Sequence, residues 1–100
     1  MDADTLELTF SGEIWQWRGP APYYFITVPA DAAAALHGVA RAVTYGWGVV
    51  PVEVRLGGSI WSTSLFPKEG GYLVPIKRAV RVGERLVEGD TVEIQLVVRI

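Results

Sequence analysis

One hundred residues without a cysteine suffice for one domain with its own core, and they exclude disulfides and thiolate zinc sites. Half of the residues are hydrophobic, yet no apolar run approaches the ~20 residues of a membrane-spanning helix. A net charge of −2 argues against a dedicated nucleic-acid binder, because affinity for phosphate grows with clustered Lys and Arg.

Strand periodicity dominates the chain. Leu6, Leu8 and Phe10 alternate with Glu7, Thr9 and Ser11, which predicts a strand with one apolar face. Tyr23 to Val28 is an aromatic and β-branched run that reads as a second strand. Pro29-Ala30-Asp31 then opens a helix: proline ends the strand, and Asp31 suits the positive end of the helix dipole. Ala32 to Ala35 favours the helix, and Gly38 is its expected end. Val49 to Leu56 is the next strand, with Glu53 and Arg55 outward. Gly57-Gly58 makes a two-residue hairpin turn into Ser59 to Phe66. Pro67 to Gly71 reads as a second turn, and Tyr72 to Ile76 as a strand. A short helix follows over Lys77 to Val82, ending at Gly83. In the last strand Val92, Ile94, Leu96 and Val98 alternate with Glu93, Gln95, Val97 and Arg99.

The chain repeats itself. Leu6-Glu7-Leu8-Thr9-Phe10-Ser11-Gly12-Glu13-Ile14-Trp15 aligns without a gap on Val52-Glu53-Val54-Arg55-Leu56-Gly57-Gly58-Ser59-Ile60-Trp61, which pairs Trp15 with Trp61. Tyr24 to Val28 aligns on Tyr72 to Ile76, and Val52 to Leu56 on Val92 to Leu96. Each half reads strand, strand, helix, strand, with half-repeats at about 5–48 and 49–100 of a single domain, 1–100. The first half carries eight extra residues, expected around Gly38 to Gly48, a stretch that holds Tyr45 and Trp47. Two units suit a closed barrel in which each half covers the other, whereas a solenoid needs more. The expected fold is therefore an all-β closed barrel of six to seven strands with two short helices and an internal pseudo-two-fold axis.

The strand Tyr72-Leu73-Val74-Pro75-Ile76, the helix from Lys77, and the turn Gly89-Asp90 before Thr91 to Ile94 resemble the swapped-hairpin half of AbrB/MazE-type proteins. Glycine supplies a backbone conformation closed to other residues there, and Asp90 can bond nearby amides, so Gly89 is expected to be more constrained than Gly70. Over residues 6–98 the chain resembles a small bacterial and archaeal family classed as a domain of unknown function. The residues carrying the match are Phe10, Gly12, Tyr24-Phe25, Val28-Pro29, Gly58, Trp61, Ser64-Leu65, Pro67, Gly71-Tyr72, Pro75, Lys77, Val80-Arg81 and Gly89-Asp90. The resemblance implies a single-chain double-split barrel related to AbrB/MazE folds, found in other proteins fused to a helical domain associated with bacteriocin or stress resistance. It implies no catalytic residue.

Few constellations carry chemistry. Residues 1–50 hold five acids against two bases, and residues 51–100 hold six against seven. Four of the bases, Lys77, Arg78, Arg81 and Arg85, lie close together, at spacings that put most of them on one helical face. They read either as an anion or phosphate site or as a solvated flank balanced by Glu84 and Glu88. Trp15 and Trp61 read either as aromatic ligand platforms or as packing anchors. Trp17, Tyr23 and Tyr24 crowd near Trp15 and would form a binding patch if exposed. His37 lacks a partner constellation, so enzymatic chemistry is not expected. Glu7, Glu53 and Glu93 recur on outward positions, where they serve solubility and edge protection. No metal or cofactor is implied.

The expected function is a non-enzymatic binding or interaction module. Its contact surface is Lys77, Arg78, Arg81 and Arg85 with Trp61 and Tyr72, and its partner an anionic ligand or a protein. The alternatives are an AbrB/MazE-like DNA-binding regulator and a small enzyme whose pocket would enclose His37 with a carboxylate and a hydroxyl. The acidic Met1-Asp2-Ala3-Asp4 is the reverse of a signal peptide, so a cytoplasmic location with no membrane partner is expected, and because one chain supplies both halves a monomer should suffice for folding.

Overall fold

The computed structural model describes residues 5–19, 23–43 and 49–99. Six strands and two helices alternate as β1 (Thr5–Trp17), β2 (Tyr23–Thr27), α1 (Ala30–Val43), β3 (Val50–Leu56), β4 (Ser59–Lys68), β5 (Gly71–Pro75), α2 (Arg78–Gly83) and β6 (Thr91–Arg99). The strands close into an antiparallel barrel in the order β1-β2-β5-β4-β3-β6. Closure removes exposed sheet edges, which for a chain of alternating strands would otherwise invite further pairing.

Two long strands make the closure possible. Thr5 to Glu13 of β1 pair with β6, and Ile14 to Trp17 then pair with β2. In the same way Ser59 to Leu65 of β4 pair with β3, and Phe66 to Lys68 with β5. Where β1 changes partner, Ile14 donates to the Asp90 carbonyl at 2.9 Å and accepts from the Gly89 amide at 2.8 Å. The Asp90 carboxylate accepts from the Val87 amide at 2.9 Å, so it fixes its turn as expected.

The inward face carries the core. Ile14, Ile26, Val50, Val54, Leu65, Val74, Ile94, Leu96 and Val98 are fully or nearly fully buried, and Leu36 of α1 and Val80 of α2 pack against them. The outward face of β1, β6 and β3 carries a polar ladder. Gln95 donates to Glu7 at 3.0 Å, and Arg55 bonds both Gln95 (3.3 Å) and Glu53 (2.9 Å). The glutamates Glu7 and Glu53 thus lie outward as expected. Val97, also outward, is buried nonetheless, paired with Glu7 on one side and Glu53 on the other.

Exchanging β1 with β4, β2 with β5 and β3 with β6 leaves the strand order unchanged. The repeats Tyr24–Val28 on Tyr72–Ile76 and Val52–Leu56 on Val92–Leu96 fit this exchange, because both pairs of strands are self-related in it. The ungapped repeat Leu6–Trp15 on Val52–Trp61 does not. The first of those segments is one unbroken strand, and the second is a hairpin turning at Gly57-Gly58. The register matches Phe10 to Trp61, Ile14 to Leu65 and Trp15 to Phe66. Trp15 and Trp61 are therefore not equivalent, and shared apolar alternation explains their alignment. The ring order also puts the junction of the halves at the Gly57-Gly58 turn rather than near residue 48.

Gly38 does not end α1, which continues to Val43. A glycine in a helix costs about 1 kcal/mol against alanine, and packing of Val39 on the core offsets that. α1 has 14 residues and α2 six, so the eight extra residues of the first half lengthen its helix. Tyr45 and Trp47 lie outside the described residues. The second hairpin turns at Glu69-Gly70 alone, both at positive φ (51° and 80°), with Lys68 pairing Gly71. Gly70 is thus as constrained as Gly89 (φ 97°), contrary to the expected difference. Among the described residues no helix is long and apolar enough to cross a membrane.

Candidate functional site

A cleft of about 460 Å³ opens where the start of α2 meets β2 and β4. Its basic side is Lys77, Arg78 and Arg81. Strand β5 ends at Pro75, and Lys77 precedes the first turn of α2, so the backbone turns sharply and fans these three side chains beside the barrel wall. Its aromatic side is Tyr23 and Tyr24 from β2 with Trp61 and Phe66 from β4. Ser62 and Thr63 of β4, on opposite faces of the strand, also line the cleft.

Arg81 lies flat on Tyr24, with the guanidinium carbon 3.7 Å from the ring centroid. Stacking positions the cation but leaves its in-plane donors unused. The Arg81 Nε is buried and has no hydrogen-bond partner. The indole Nε1 of Trp61 is likewise buried and unpaired, in a residue only 6% exposed. These are the two buried unpaired side-chain donors found among the described residues, and both belong to residues lining this cleft.

The acids expected to balance the cations are engaged elsewhere. Glu84 accepts from Ser59 Oγ at 2.6 Å and lies against Gly57. Glu88 pairs with Arg18 at 3.0 Å and receives the Gln16 amide at 3.3 Å. Among the described residues Lys77, Arg78 and Arg81 therefore have no acidic partner.

Four of the six expected site residues meet here: Lys77, Arg78, Arg81 and Trp61. Two do not. Arg85 follows the end of α2 in a left-handed conformation (φ 57°), so the helical spacing that would align it with Arg81 does not apply. Tyr72 is buried near the start of β5, toward α1, where it meets His37. Sequence reasoning placed Tyr23 and Tyr24 near Trp15 but missed their approach to α2. The signal was the match of Tyr24 to Tyr72, each in the strand before a helix.

Tyr72 belongs to a second cleft of about 440 Å³ against α1, and the strand exchange relates the two. Tyr24 matches Tyr72, Phe66 matches Trp15, and Ile76 matches Val28. At the positions matching Arg78 and Arg81, the second cleft has Ala30 and Ala33. His37 instead reaches across, with Nε2 donating to the Gly70 carbonyl at 2.7 Å and Nδ1 3.5 Å from the Tyr72 hydroxyl. His37 thus has partners that the sequence did not disclose. Glu69 lines the same cleft, yet His37 bonds a backbone carbonyl rather than a carboxylate.

An aromatic patch lies beside the first cleft. Trp17, Tyr23 and Phe66 are 43–55% exposed, and Phe25 joins Tyr23 to Phe66 through ring contacts of 6.3 and 6.2 Å. Trp15 is half-buried and satisfied, its indole donating to Thr27 at 3.0 Å and its ring facing Lys68 at 5.2 Å. Among the described residues no cluster of His, Asp and Glu could hold a metal ion.

A family model described as a domain of unknown function (DUF1905) matches residues 10–96, and the chain belongs to that family. No curated protein matches the sequence.

Proposed function

We propose that this domain is a non-enzymatic binding module that holds an anion in the cleft between α2 and β4. The observation carrying this reading is the pair of buried donors, Trp61 Nε1 and Arg81 Nε, that meet no acceptor. Leaving a buried donor unmade costs about 1–3 kcal/mol. An oxyanion that drew either side chain round so that its donor met the cleft would recover part of that cost while neutralising cations whose expected acids are engaged elsewhere. The related cleft against α1 supports the same reading: it shares the matched residues Tyr72, Trp15 and Val28 but has alanines in place of Arg78 and Arg81, with Lys68 and Glu69 at its rim, so the fold itself does not require the arginines there.

The test is a titration with inorganic phosphate at low ionic strength, followed by amide shifts of α2 and tryptophan fluorescence. The wild-type chain responds saturably and Arg81→Gln does not. A wild-type chain that shows no saturable response overturns the reading.

A DNA-binding role of the AbrB/MazE kind is the second reading, favoured by the exposure of Lys77, Arg78 and Arg85. Duplex binding that weakens steeply with salt would support it, and no binding at low salt would remove it. In both readings the two halves are copies of one half-barrel. The symmetric strand order and the Gly89-Asp90 turn support that origin and the relation to AbrB/MazE-type barrels.

A further inference from the structure

We infer that the anion is the phosphate of a nucleoside monophosphate, an inference that rests on the anion-binding reading above. Three features of the cleft select this class. The first is charge. Lys77, Arg78 and Arg81 present three positive charges without an acidic partner among the described residues. A phosphate monoester, close to −2 at neutral pH, balances them better than a carboxylate does. Arginine with an idle in-plane donor also matches the multiple oxygens of a phosphate.

The second feature is the opposite wall. Tyr23 and Phe66 are more than 40% exposed and border the cleft, so they offer π-faces to an incoming ring with no need to open the core. Stacking on such rings tolerates any base, because every base has a π-face. The third feature lies between these walls. Ser62 and Thr63 line the cleft on β4 between Trp61 and Phe66, on opposite faces of the strand, so one of the two hydroxyls is available to a sugar spanning from phosphate to base. At about 460 Å³ the cleft is within the range of small-molecule sites. The related cleft repeats neither the arginines nor the exposed ring pair: Ala30 and Ala33 stand at the matching positions, Lys68 shares the cleft with Glu69, and Gly71 occupies the position matching Tyr23.

Calorimetric titrations of the full chain at fixed low ionic strength separate the possibilities. The probes are adenosine 5′-monophosphate, cytidine 5′-monophosphate, ribose 5-phosphate, phenyl phosphate, adenosine and inorganic phosphate. Both nucleotides are expected to bind about tenfold tighter than inorganic phosphate or ribose 5-phosphate, the factor a stacked base supplies. Adenosine alone binds at least tenfold more weakly than its phosphate. Tyr23→Ala and Phe66→Ala, both surface substitutions, remove the nucleotide advantage and leave phosphate binding unchanged. Arg81→Gln removes both.

If inorganic phosphate and nucleotide bind equally, the nucleoside inference falls and the anion-binding reading survives. If phenyl phosphate equals the nucleotides, the site takes an aryl phosphate and the inference falls as well. If none of the phosphates binds, both fall together.

Discussion

Replacing Arg81 with methionine separates a ligand-binding residue from a structural one. Methionine keeps an unbranched apolar stem of similar reach but removes the guanidinium. Two terms oppose each other. The stack on Tyr24 at 3.7 Å is lost, which costs about 0.5–2 kcal/mol. The buried, unpaired Nε is also lost, which relieves about 1–3 kcal/mol. At mid-range the second term, about 2 kcal/mol, exceeds the first, about 1.2 kcal/mol, so Arg81→Met is expected to stabilise the free protein by about 1 kcal/mol. In a domain of this size that raises Tm by roughly 5 °C. Circular-dichroism melts of both chains, without and with phosphate, read the effect. Phosphate at 100 times its Kd stabilises the wild-type chain by about 2.7 kcal/mol and leaves the variant unmoved. Arg78→Met, at an exposed position, serves as the control and changes free stability by less than about 0.5 kcal/mol. An Arg81→Met chain that is less stable by about 2 kcal/mol or more would refute the reasoning, because the fold would then be what needs the guanidinium.

Three further outcomes test the fold beneath the site. Gly70→Ala and Gly89→Ala each force a side chain into a left-handed backbone with open space around it. Each should cost about 1–2 kcal/mol in urea denaturation, with no large gap between them. Gly12→Ala would drive a Cβ into Ile26 across the strands near the β1 switch, and should cost about 1–3 kcal/mol by the same assay. Ser59→Ala strips Glu84 of its 2.6 Å donor and should cost about 1–2 kcal/mol in thermal melts, while Ser62→Ala, which strips no such bond, changes little.

Much of the fold was legible because strand alternation survives in the barrel. Leu6, Leu8 and Phe10 pack on the core, Val54 and Leu56 are buried, and Glu53 and Arg55 pair outward as their period-two pattern implies. The turn Gly57-Gly58 was readable from its residues alone, since a two-residue hairpin needs positive φ, and Gly57 has φ 57°. The same periodicity misled where it was the only guide. Leu6–Trp15 and Val52–Trp61 share alternation and a glycine, yet β1 bends from one neighbour to another where the second segment turns back. That difference is set by hydrogen-bonding partners far along the chain. Gly38 failed as a stop signal because tertiary packing of Val39 outweighs a local propensity of about 1 kcal/mol. The cations of the site were legible as a cluster. What no local pattern carried was that β2 delivers Tyr24 beneath Arg81, or that Glu84 and Glu88 turn away to Ser59 and Arg18.

The symmetry of the barrel sharpens what those cations mean. In a fold whose two ends are built from matching strands, features that both ends share answer to packing. Tyr24 and Tyr72 are such a pair, each partly or fully buried before a helix, each touched by a basic ring or plane. At the α1 end the contact is made by His37, whose ring nitrogens are taken up by Gly70 and Tyr72 within the protein. At the α2 end it is made by Arg81, whose Nε is not taken up. Covering the tyrosine is thus a structural need that the α1 end meets with a fully engaged side chain. The idle donor, the absence of an acidic neighbour among the described residues and the cluster of three cations occur at the α2 end, whereas the α1 end has Ala30 and Ala33 at the matching positions and a single lysine, Lys68, beside Glu69. An external acceptor accounts for all three at once, and separate structural reasons would be needed to account for each alone.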